Sequence, residues 1–177
     1  MDSTADPWHP EHMNAFSDAP FGPADRLDLD PVPLAVIRHK AIRLADLRDA
    51  FDSGYRAIGD AFAAGTLLPA GPALAIYHGD PMGVFDLELG FPVQAPPSDA
   101  LATGDGTAIV ASTLPSGSAV ATTVLGSYDG LGAGWAALVA RAAEADLHPR
   151  GVWIEVYVSD PDTAPEDLRT DLIMPVG

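Results

Sequence analysis

The chain has no cysteine, few basic residues and no long apolar run. Without cysteine it can form neither a disulfide framework nor a thiolate metal site, and it has no thiol nucleophile. Its 9 Lys and Arg stand against 25 Asp and Glu, which gives a formal net charge of −16. Because nucleic-acid binding depends on basic side chains that pair with phosphates, we expect no direct DNA binding. No segment approaches the roughly 20 consecutive apolar residues of a membrane span, so we expect no membrane anchor.

The first 31 residues carry no sustained hydrophobic period and are rich in proline and aspartate. They lack the basic start and the apolar core of a signal peptide, so we predict a cytoplasmic protein. We predict a largely irregular extension over 1–31, which could drape over a single domain at 32–177. His9 and His12 lie three residues apart in this proline-flanked segment, which is too little for a metal site. We therefore predict no metal and no cofactor.

The remaining residues repeat one order of elements. Apolar residues at spacings of three and four predict two amphipathic helices, the first over 44–62 with its end at Gly65 and the second around Trp135. Runs of strand-forming residues predict strands at 32–39, 73–78, 84–93, 108–113, 118–125, 152–158 and 171–176. Each half therefore reads strand, helix, strand, strand. This order predicts an α+β fold, in which a pseudo-twofold antiparallel sheet carries both helices on one face.

The two halves also match residue by residue. The segment 71–81 aligns without a gap on 151–161. Where the second half has Glu155, the first has Ala75, which leaves room. A duplicated scaffold that breaks its symmetry at a carboxylate predicts a site near the axis that relates the halves, provided that the strand register is correct.

The strand at 152–158 carries this candidate site. Side chains alternate across a strand, so Trp153, Glu155 and Tyr157 share one face while three aliphatic residues share the other. One carboxylate thus lies between two aromatic rings, and Tyr77 occupies the equivalent position in the first half. A buried, unpaired charge costs several kcal/mol, so its presence favours a functional role. The pattern predicts a pocket for a cationic or hydrogen-bond-donating aromatic molecule.

Some residues keep two interpretations open. Trp135 lies on the apolar stripe of the second helix and belongs either to the core or to the pocket lining. Asp86 and Glu88 share a face of their strand and are either paired carboxylates at the rim of a groove or a solvated surface. Glu155 itself could be one half of a structural salt bridge.

Several short motifs, in their joint order and spacing, resemble those of one family. They are the strand 73–79, the Leu-Pro-Ser-Gly turn at 114–117, the Gly-Ser-Tyr-Asp-Gly-Leu segment at 126–131, the strand 153–157 and the segments 167–172 and 175–176. On these residues the chain resembles the GyrI-like family, the effector-binding domain of bacterial multidrug-sensing transcription regulators. The resemblance covers about residues 32–177.

The resemblance implies the same duplicated fold, with a ligand groove on the open face of the sheet. It implies that Glu155 lies at the base of that groove and contacts lipophilic, aromatic and often cationic ligands. The family's regulators carry a helix-turn-helix ahead of this domain, and the 31 residues found there are too few for one, so we expect a stand-alone member. The predicted ligand-binding residues are Glu155, Tyr157, Trp153, Tyr77, Ala75 and Trp135.

Three functions stay open, and the first is our prediction. It is a small-molecule binder for lipophilic aromatic or cationic compounds. The second is a hydrolase, since some family members open strained cyclopropane-bearing compounds by adding water. Glu155 would then act as general base and Tyr157 or Tyr77 would donate to the developing phenolate. The third is an acidic protein that docks on a protein partner, as in the gyrase inhibition associated with the family's namesake.

Overall fold

The computed structural model describes residues 15–104, 106–160 and 162–177. In this part of the chain, nine strands form one antiparallel sheet and two long helices lie against it. The strands are β1 (Asp25–Leu29), β2 (Pro33–Ile42), β3 (Ala73–Gly79), β4 (Phe85–Pro92), β5 (Leu101–Ala102), β6 (Ala108–Thr113), β7 (Gly117–Leu125), β8 (Val152–Tyr157) and β9 (Arg169–Pro175), and the helices are α1 (Leu47–Ala63) and α2 (Leu131–Glu144). The predicted α+β class is confirmed.

The sheet is built from two equivalent halves. Its strand order is β1-β7-β9-β8-β3-β4-β2-β6-β5, so β7, β9 and β8 of the second half meet β3, β4 and β2 of the first. Strands β3 and β8 pair at the centre, and Ala75 lies directly opposite Glu155. These two residues are equivalent in the duplication and also paired with each other, so the pseudo-twofold axis passes between them. The predicted register is confirmed.

Helix α1 ends where the sequence predicts. Gly65 has a φ of 72°, a left-handed conformation that a residue without a Cβ adopts at little cost. The amides of Gly65 and Thr66 donate to the carbonyls of Phe62 and Ala61, which satisfies the end of the helix. Neither α1 nor α2, the long helices of the described residues, has the length and apolar composition that crossing a membrane would take.

Both helices approach the sheet closely at a glycine. A Cβ added at Gly134 of α2 would lie 2.5 Å from Val124 Cγ2 and 3.0 Å from Leu172 Cδ1. A Cβ added at Gly54 of α1 would lie 3.2 Å from Leu89 Cδ1. Leu89 and Leu172 correspond in the two halves, so the duplication extends from the strands to the way in which each helix packs.

The sheet has two differently covered faces. The helix face carries Ala75, Leu89 and Leu172, which pack with residues of α1 and α2. The rear face carries the aliphatic residues of the central strands. They are Leu74, Ile76, Ile154, Val156 and Ile173, and all are fully buried.

The described N-terminal segment lies across the rear face. Phe21 is buried there against the aliphatic core. Arg169 on β9 holds the segment, because its guanidinium donates to the carbonyl oxygens of Ser17, Asp18 and Ala19 at 2.9–3.1 Å. Its partner Asp171, which is fully buried, accepts two further bonds from the same guanidinium.

The prediction of an irregular 1–31 segment is wrong for β1. Asp25–Leu29 pairs with β7 as the edge strand of the sheet, with Leu27 and Leu29 buried on the rear face. Three of the five residues of β1 are charged, and they obscured the polar–apolar alternation that would predict a half-buried strand. His9 and His12 lie outside the described residues.

Replacing Gly134 by alanine tests the close helix–sheet contact. Alanine favours helix by about 1 kcal/mol over glycine, but the added methyl overlaps Val124, and such overpacking costs roughly 1–3 kcal/mol. We expect Gly134→Ala to lower the free energy of unfolding measured by urea denaturation. Gly132→Ala is the matched control, because its Cβ meets nothing within 4 Å, and it should raise stability. Stabilisation by both variants would contradict the packing.

Candidate ligand site

The candidate site lies on the helix face, at the centre of the sheet between the two helices. Glu155 projects from β8 towards α2, where Trp135 contacts it, and Phe51 of α1 packs on the neighbouring Tyr157. A groove on the face opposite the helices was predicted, and this placement is wrong. Alternation assigned the aliphatic residues to one face correctly, but that face is covered by the N-terminal segment rather than by the helices.

Three neutral hydrogen-bond donors hold the carboxylate of Glu155. The hydroxyls of Tyr77 and Tyr157 both donate to Oε1, at 2.9 and 2.7 Å. The indole Nε1 of Trp135 donates to Oε2 at 2.9 Å. The two tyrosines are equivalent residues of the two halves, so they approach the carboxylate from both sides of the axis. Only 6% of Glu155 is exposed.

The carboxylate has no cationic partner among the described residues. The ion pairs found there join other acids, namely Glu88, Asp146 and Asp171, to their bases. The interpretation of Glu155 as half of a structural salt bridge is therefore wrong for this part of the chain. What remains is a buried acid stabilised by neutral dipoles alone, an arrangement that leaves its charge uncompensated.

Further aromatic rings enclose this group. Phe51 from α1 and Tyr128 from the turn before α2 both meet the ring of Tyr157 edge-on. The ring centroid distances are 5.8 Å for Phe51–Tyr157, 6.0 Å for Tyr128–Tyr157, 5.5 Å for Trp135–Trp153 and 5.5 Å for Tyr77–Phe85. Tyr128 is 54% exposed and marks the rim, whereas Tyr77 at 7% marks the base. We call this set of rings around Glu155 the aromatic cage.

Hydrogen bonds fix the polar ends of two more rings. Trp153 Nε1 donates to the carbonyl oxygen of Gly79 at 2.9 Å, and Tyr55 Oη donates to that of Leu74 at 2.7 Å. Each ring therefore has a bonded end and an apolar body that packs on its neighbours. The rings fill the space above the carboxylate.

Three tyrosines near the carboxylate, Tyr55, Tyr77 and Tyr157, remain protonated donors. Burial raises the pKa of Tyr77, and the charge of Glu155 and its hydrogen bond raise it further. Burial and then the charge of Glu155 likewise raise the pKa of Tyr157 and of Tyr55. At physiological pH the hydroxyls of Tyr77 and Tyr157 therefore donate to the carboxylate, and that of Tyr55 donates to the Leu74 carbonyl.

The structure brings together the six residues predicted to bind the ligand, Glu155, Tyr157, Trp153, Tyr77, Ala75 and Trp135. Ala75 lies opposite Glu155 on the axis, and Trp135 both packs in the core of α2 and contacts the carboxylate, so its two interpretations are compatible. Their role in ligand binding stays a prediction. Sequence reasoning missed Phe51, Tyr55 and Tyr128 as parts of the site. The signal was present in their aromatic character and helical spacing, but α1 was expected on the other face.

Asp86 and Glu88 do not belong to the site. Both project from β4 to the rear face, and Glu88 is only 8% exposed. Its Oε1 accepts hydrogen bonds from Ser112 Oγ at 2.7 Å and Arg38 Nε at 3.2 Å, and its Oε2 is 2.8 Å from His78 Nε2. Neither a groove rim nor a solvated surface describes Glu88, which is a buried acid with basic partners.

A surface cavity lies outside the aromatic cage. It has a volume of about 590 Å³ and opens between the outer side of α1 and the short strand β5. Its described lining includes Arg56, Asp60, Leu101 and Ile109 but no aromatic ring and no buried charge. The aromatic cage holds the uncompensated charge of Glu155, and we place the candidate site there for that reason.

Comparisons with known proteins agree with this architecture. The GyrI-like small molecule binding domain matches residues 27–177. No curated protein sequence matches the chain. The C-terminal domain of EcmrR is similar in structure, with a TM-score of 0.70 and 15% identity over 87% of this chain and 96% of that one.

Two further structures share the fold at comparable distance. A hydrolase from Listeria innocua has a TM-score of 0.60 and 15% identity, over 90% of this chain and 94% of its own. The protein SAV2435, bound to tetraphenylphosphonium, has a TM-score of 0.59 and 14% identity, over 87% of this chain and 93% of its own. At these identities the likeness shows a common fold and nothing more.

The buried acid on the rear face predicts a pH-dependent stability. Burial alone would raise the pKa of Glu88, but hydrogen bonds from His78, Ser112 and Arg38 outweigh it and lower the pKa from 4.5 to about 2. Because the folded pKa is depressed, the stabilisation is complete above pH 4.5 and is lost as pH falls towards 2. Its full size is roughly 2–4 kcal/mol.

Urea denaturation of the wild type and Glu88→Gln between pH 7 and pH 2.5 measures this effect. The wild type should be the more stable at pH 7, and the difference should shrink below about pH 4.5. Glu144→Gln, at an exposed position of α2, should show little difference at any pH. A difference between wild type and Glu88→Gln that stays constant down to pH 2.5 would contradict the assignment.

Proposed function

Since the chain belongs to the GyrI-like small-molecule-binding domain family, we propose that it binds lipophilic aromatic compounds, often cationic, in the aromatic cage. One observation carries the proposal. The carboxylate of Glu155 is buried, accepts bonds from three neutral donors and has no cationic partner among the described residues. A bound cation would supply the missing charge.

The surroundings of the carboxylate suit a delocalised cation. An aromatic face attracts a cation by about 0.5–2 kcal/mol, more when water is excluded. Rings from both halves and both helices converge here, so a ligand could contact several of them at once. An aromatic site discriminates between ligands by size and charge more than by exact shape, which favours a range of related ligands over a single one.

A ligand must separate the rings before it can reach Glu155. The base of the cage is tightly held, because Tyr77 is buried and packs on Phe85. The rim is looser, since Tyr128 is more than half exposed and Trp135 and Tyr157 are partly exposed. We therefore place the opening at the rim between Tyr128 and α2. Ligand contacts would replace the ring contacts that are lost there.

Hydrolysis is the second candidate, and the pairing of Glu155 with Tyr157 favours it. Glu155 would take a proton from a water whose oxygen adds to a strained cyclopropane carbon. The ring C–C bond would break, and its electron pair would pass through the conjugated system to a carbonyl oxygen, which a tyrosine hydroxyl would stabilise. The similar Listeria innocua structure is described as a hydrolase. The high pKa of Tyr77 argues for hydrogen bonding there rather than proton transfer. The protein-docking role and the cytoplasmic location stay predictions.

Calorimetric titration with tetraphenylphosphonium tests the binding function. We expect micromolar affinity for the wild type and a loss of tenfold or more, about 1.4 kcal/mol, for Glu155→Gln. Glu144→Gln removes the same charge at an exposed position and should bind like the wild type. Neutral triphenylphosphine oxide should not distinguish wild type from Glu155→Gln.

Two controls make the result decisive. Thermal unfolding of Glu155→Gln should still show one cooperative transition, because the amide oxygen can accept from both tyrosines and the buried charge is gone, although the bond from Trp135 is lost to an amide nitrogen that only donates. Affinity that is equal in wild type and Glu155→Gln would contradict the binding proposal. Mass spectrometry after incubation with a cyclopropane-bearing dienone would favour the hydrolase instead, if a hydrated product forms in the wild type and not in Glu155→Gln.

A further inference from the structure

One oxygen of Glu155 has no hydrogen-bonding capacity left for a ligand. A carboxylate oxygen offers two lone-pair positions. At Oε1 both are occupied, by the hydroxyls of Tyr77 and Tyr157 at 2.9 and 2.7 Å. At Oε2 one is occupied, by Trp135 Nε1. The carboxylate therefore offers a ligand a single acceptor position.

Packing around both tyrosines favours retention of the two bonds to Oε1 when a ligand enters. Tyr77 is 7% exposed at the base of the cage, and its ring is packed against Phe85. The ring of Tyr157 lies between Phe51 and Tyr128, and its hydroxyl is directed at the carboxylate. Burial and the adjacent charge keep both hydroxyls protonated by raising the pKa of each tyrosine.

Two backbone carbonyls of β3 also accept hydrogen bonds from neighbouring rings. The carbonyl of Leu74 accepts from Tyr55, and that of Gly79 accepts from Trp153. If Trp135 moves aside, Oε2 offers two positions and no more. A buried primary ammonium has three N–H donors that have all lost water, and each one left without a strong acceptor weakens binding by about tenfold.

We propose that the cage selects cations by how few N–H donors they carry, and that Tyr77 and Tyr157 determine this specificity. Phosphonium, quaternary ammonium and tertiary ammonium ions are its preferred ligands, and primary ammonium ions of the same shape are rejected. A quaternary ion neutralises the charge of Glu155 and has no N–H group that needs an acceptor. A tertiary ion donates its single N–H to the free position at Oε2. The proposal rests on cation binding at Glu155, the proposed function.

A methylation series of one ligand tests the proposal. Biphenyl-4-ylmethylammonium with zero, one, two or three N-methyl groups is titrated at pH 7 into the wild type, Tyr157→Phe and Tyr77→Phe by calorimetry. In the wild type the trimethyl and dimethyl ligands should bind at least tenfold more tightly than the primary one. In each tyrosine variant a lone pair of Oε1 becomes free. The ratio of trimethyl-ligand to primary-ligand affinity should therefore be lower than in the wild type by threefold or more.

Comparing this affinity ratio between the wild type and each variant separates the effect of N–H donors from that of ligand hydrophobicity. Each methyl group also adds apolar surface to the ligand, but this contribution is the same for every protein and cancels between wild type and variant. A wild-type preference that stays unchanged in both tyrosine variants would overturn the proposal, since ligand hydrophobicity would then explain it. Primary ammonium binding as tightly as the quaternary ion would overturn it as well and leave the binding function intact. If no member of the series binds, the proposed function and the specificity both fail.

Discussion

The site depends on a single carboxylate placed on the pseudo-twofold axis. Paired side chains on an antiparallel sheet lie about 4.5–5.5 Å apart at Cβ, and like charges directly opposite each other are destabilising. Ala75 and Glu155 are paired in this way and are equivalent in the two halves. A symmetric chain would therefore face two acids against each other. The replacement by alanine in one half is what allows one acid to be buried at the centre.

The rest of the duplication supports that acid symmetrically. Tyr77 and Tyr157 are kept in both halves and converge on the same oxygen. Each helix contacts the sheet through a glycine, and the next residue, Tyr55 in α1 and Trp135 in α2, reaches towards the axis. Their bonds differ, because Trp135 finds the carboxylate and Tyr55 finds a strand carbonyl. The residues shared by both halves thus form the scaffold of the site, and the position at which the halves differ supplies its carboxylate.

Much of this arrangement could be predicted from the sequence. Periodicity predicted both helices and most strands, though not β1, and the ungapped match of 71–81 on 151–161 made Ala75 and Glu155 equivalent. Their direct pairing across β3 and β8 was not predicted. The covered face could not be predicted, because alternation separates the two sides of a strand without saying which one the helices cover. The partners of Glu88 also escaped prediction. They come from β2, β3 and β6, and only the folded sheet brings these strands together.

The two faces of the sheet pack against different parts of the chain. The described N-terminal segment packs on the aliphatic side of the sheet, with Arg169 bonded to successive carbonyls of the segment. Both helices can then lie on the other side and enclose the acid between them. Both faces thus contribute to the core, and the helix face also holds the uncompensated charge.

A crystal structure with tetraphenylphosphonium would test the central claim most directly. We expect the phosphorus to lie within about 6 Å of the centroid of at least one ring of the aromatic cage, with the Glu155 carboxylate as its nearest charge. Tyr77 and Tyr157 would still donate to Oε1, and Trp135 or Tyr128 would have moved aside. A cation found instead in the cavity beside Arg56, with the bonds of Glu155 unchanged, would contradict the claim that this buried carboxylate exists to bind a cation.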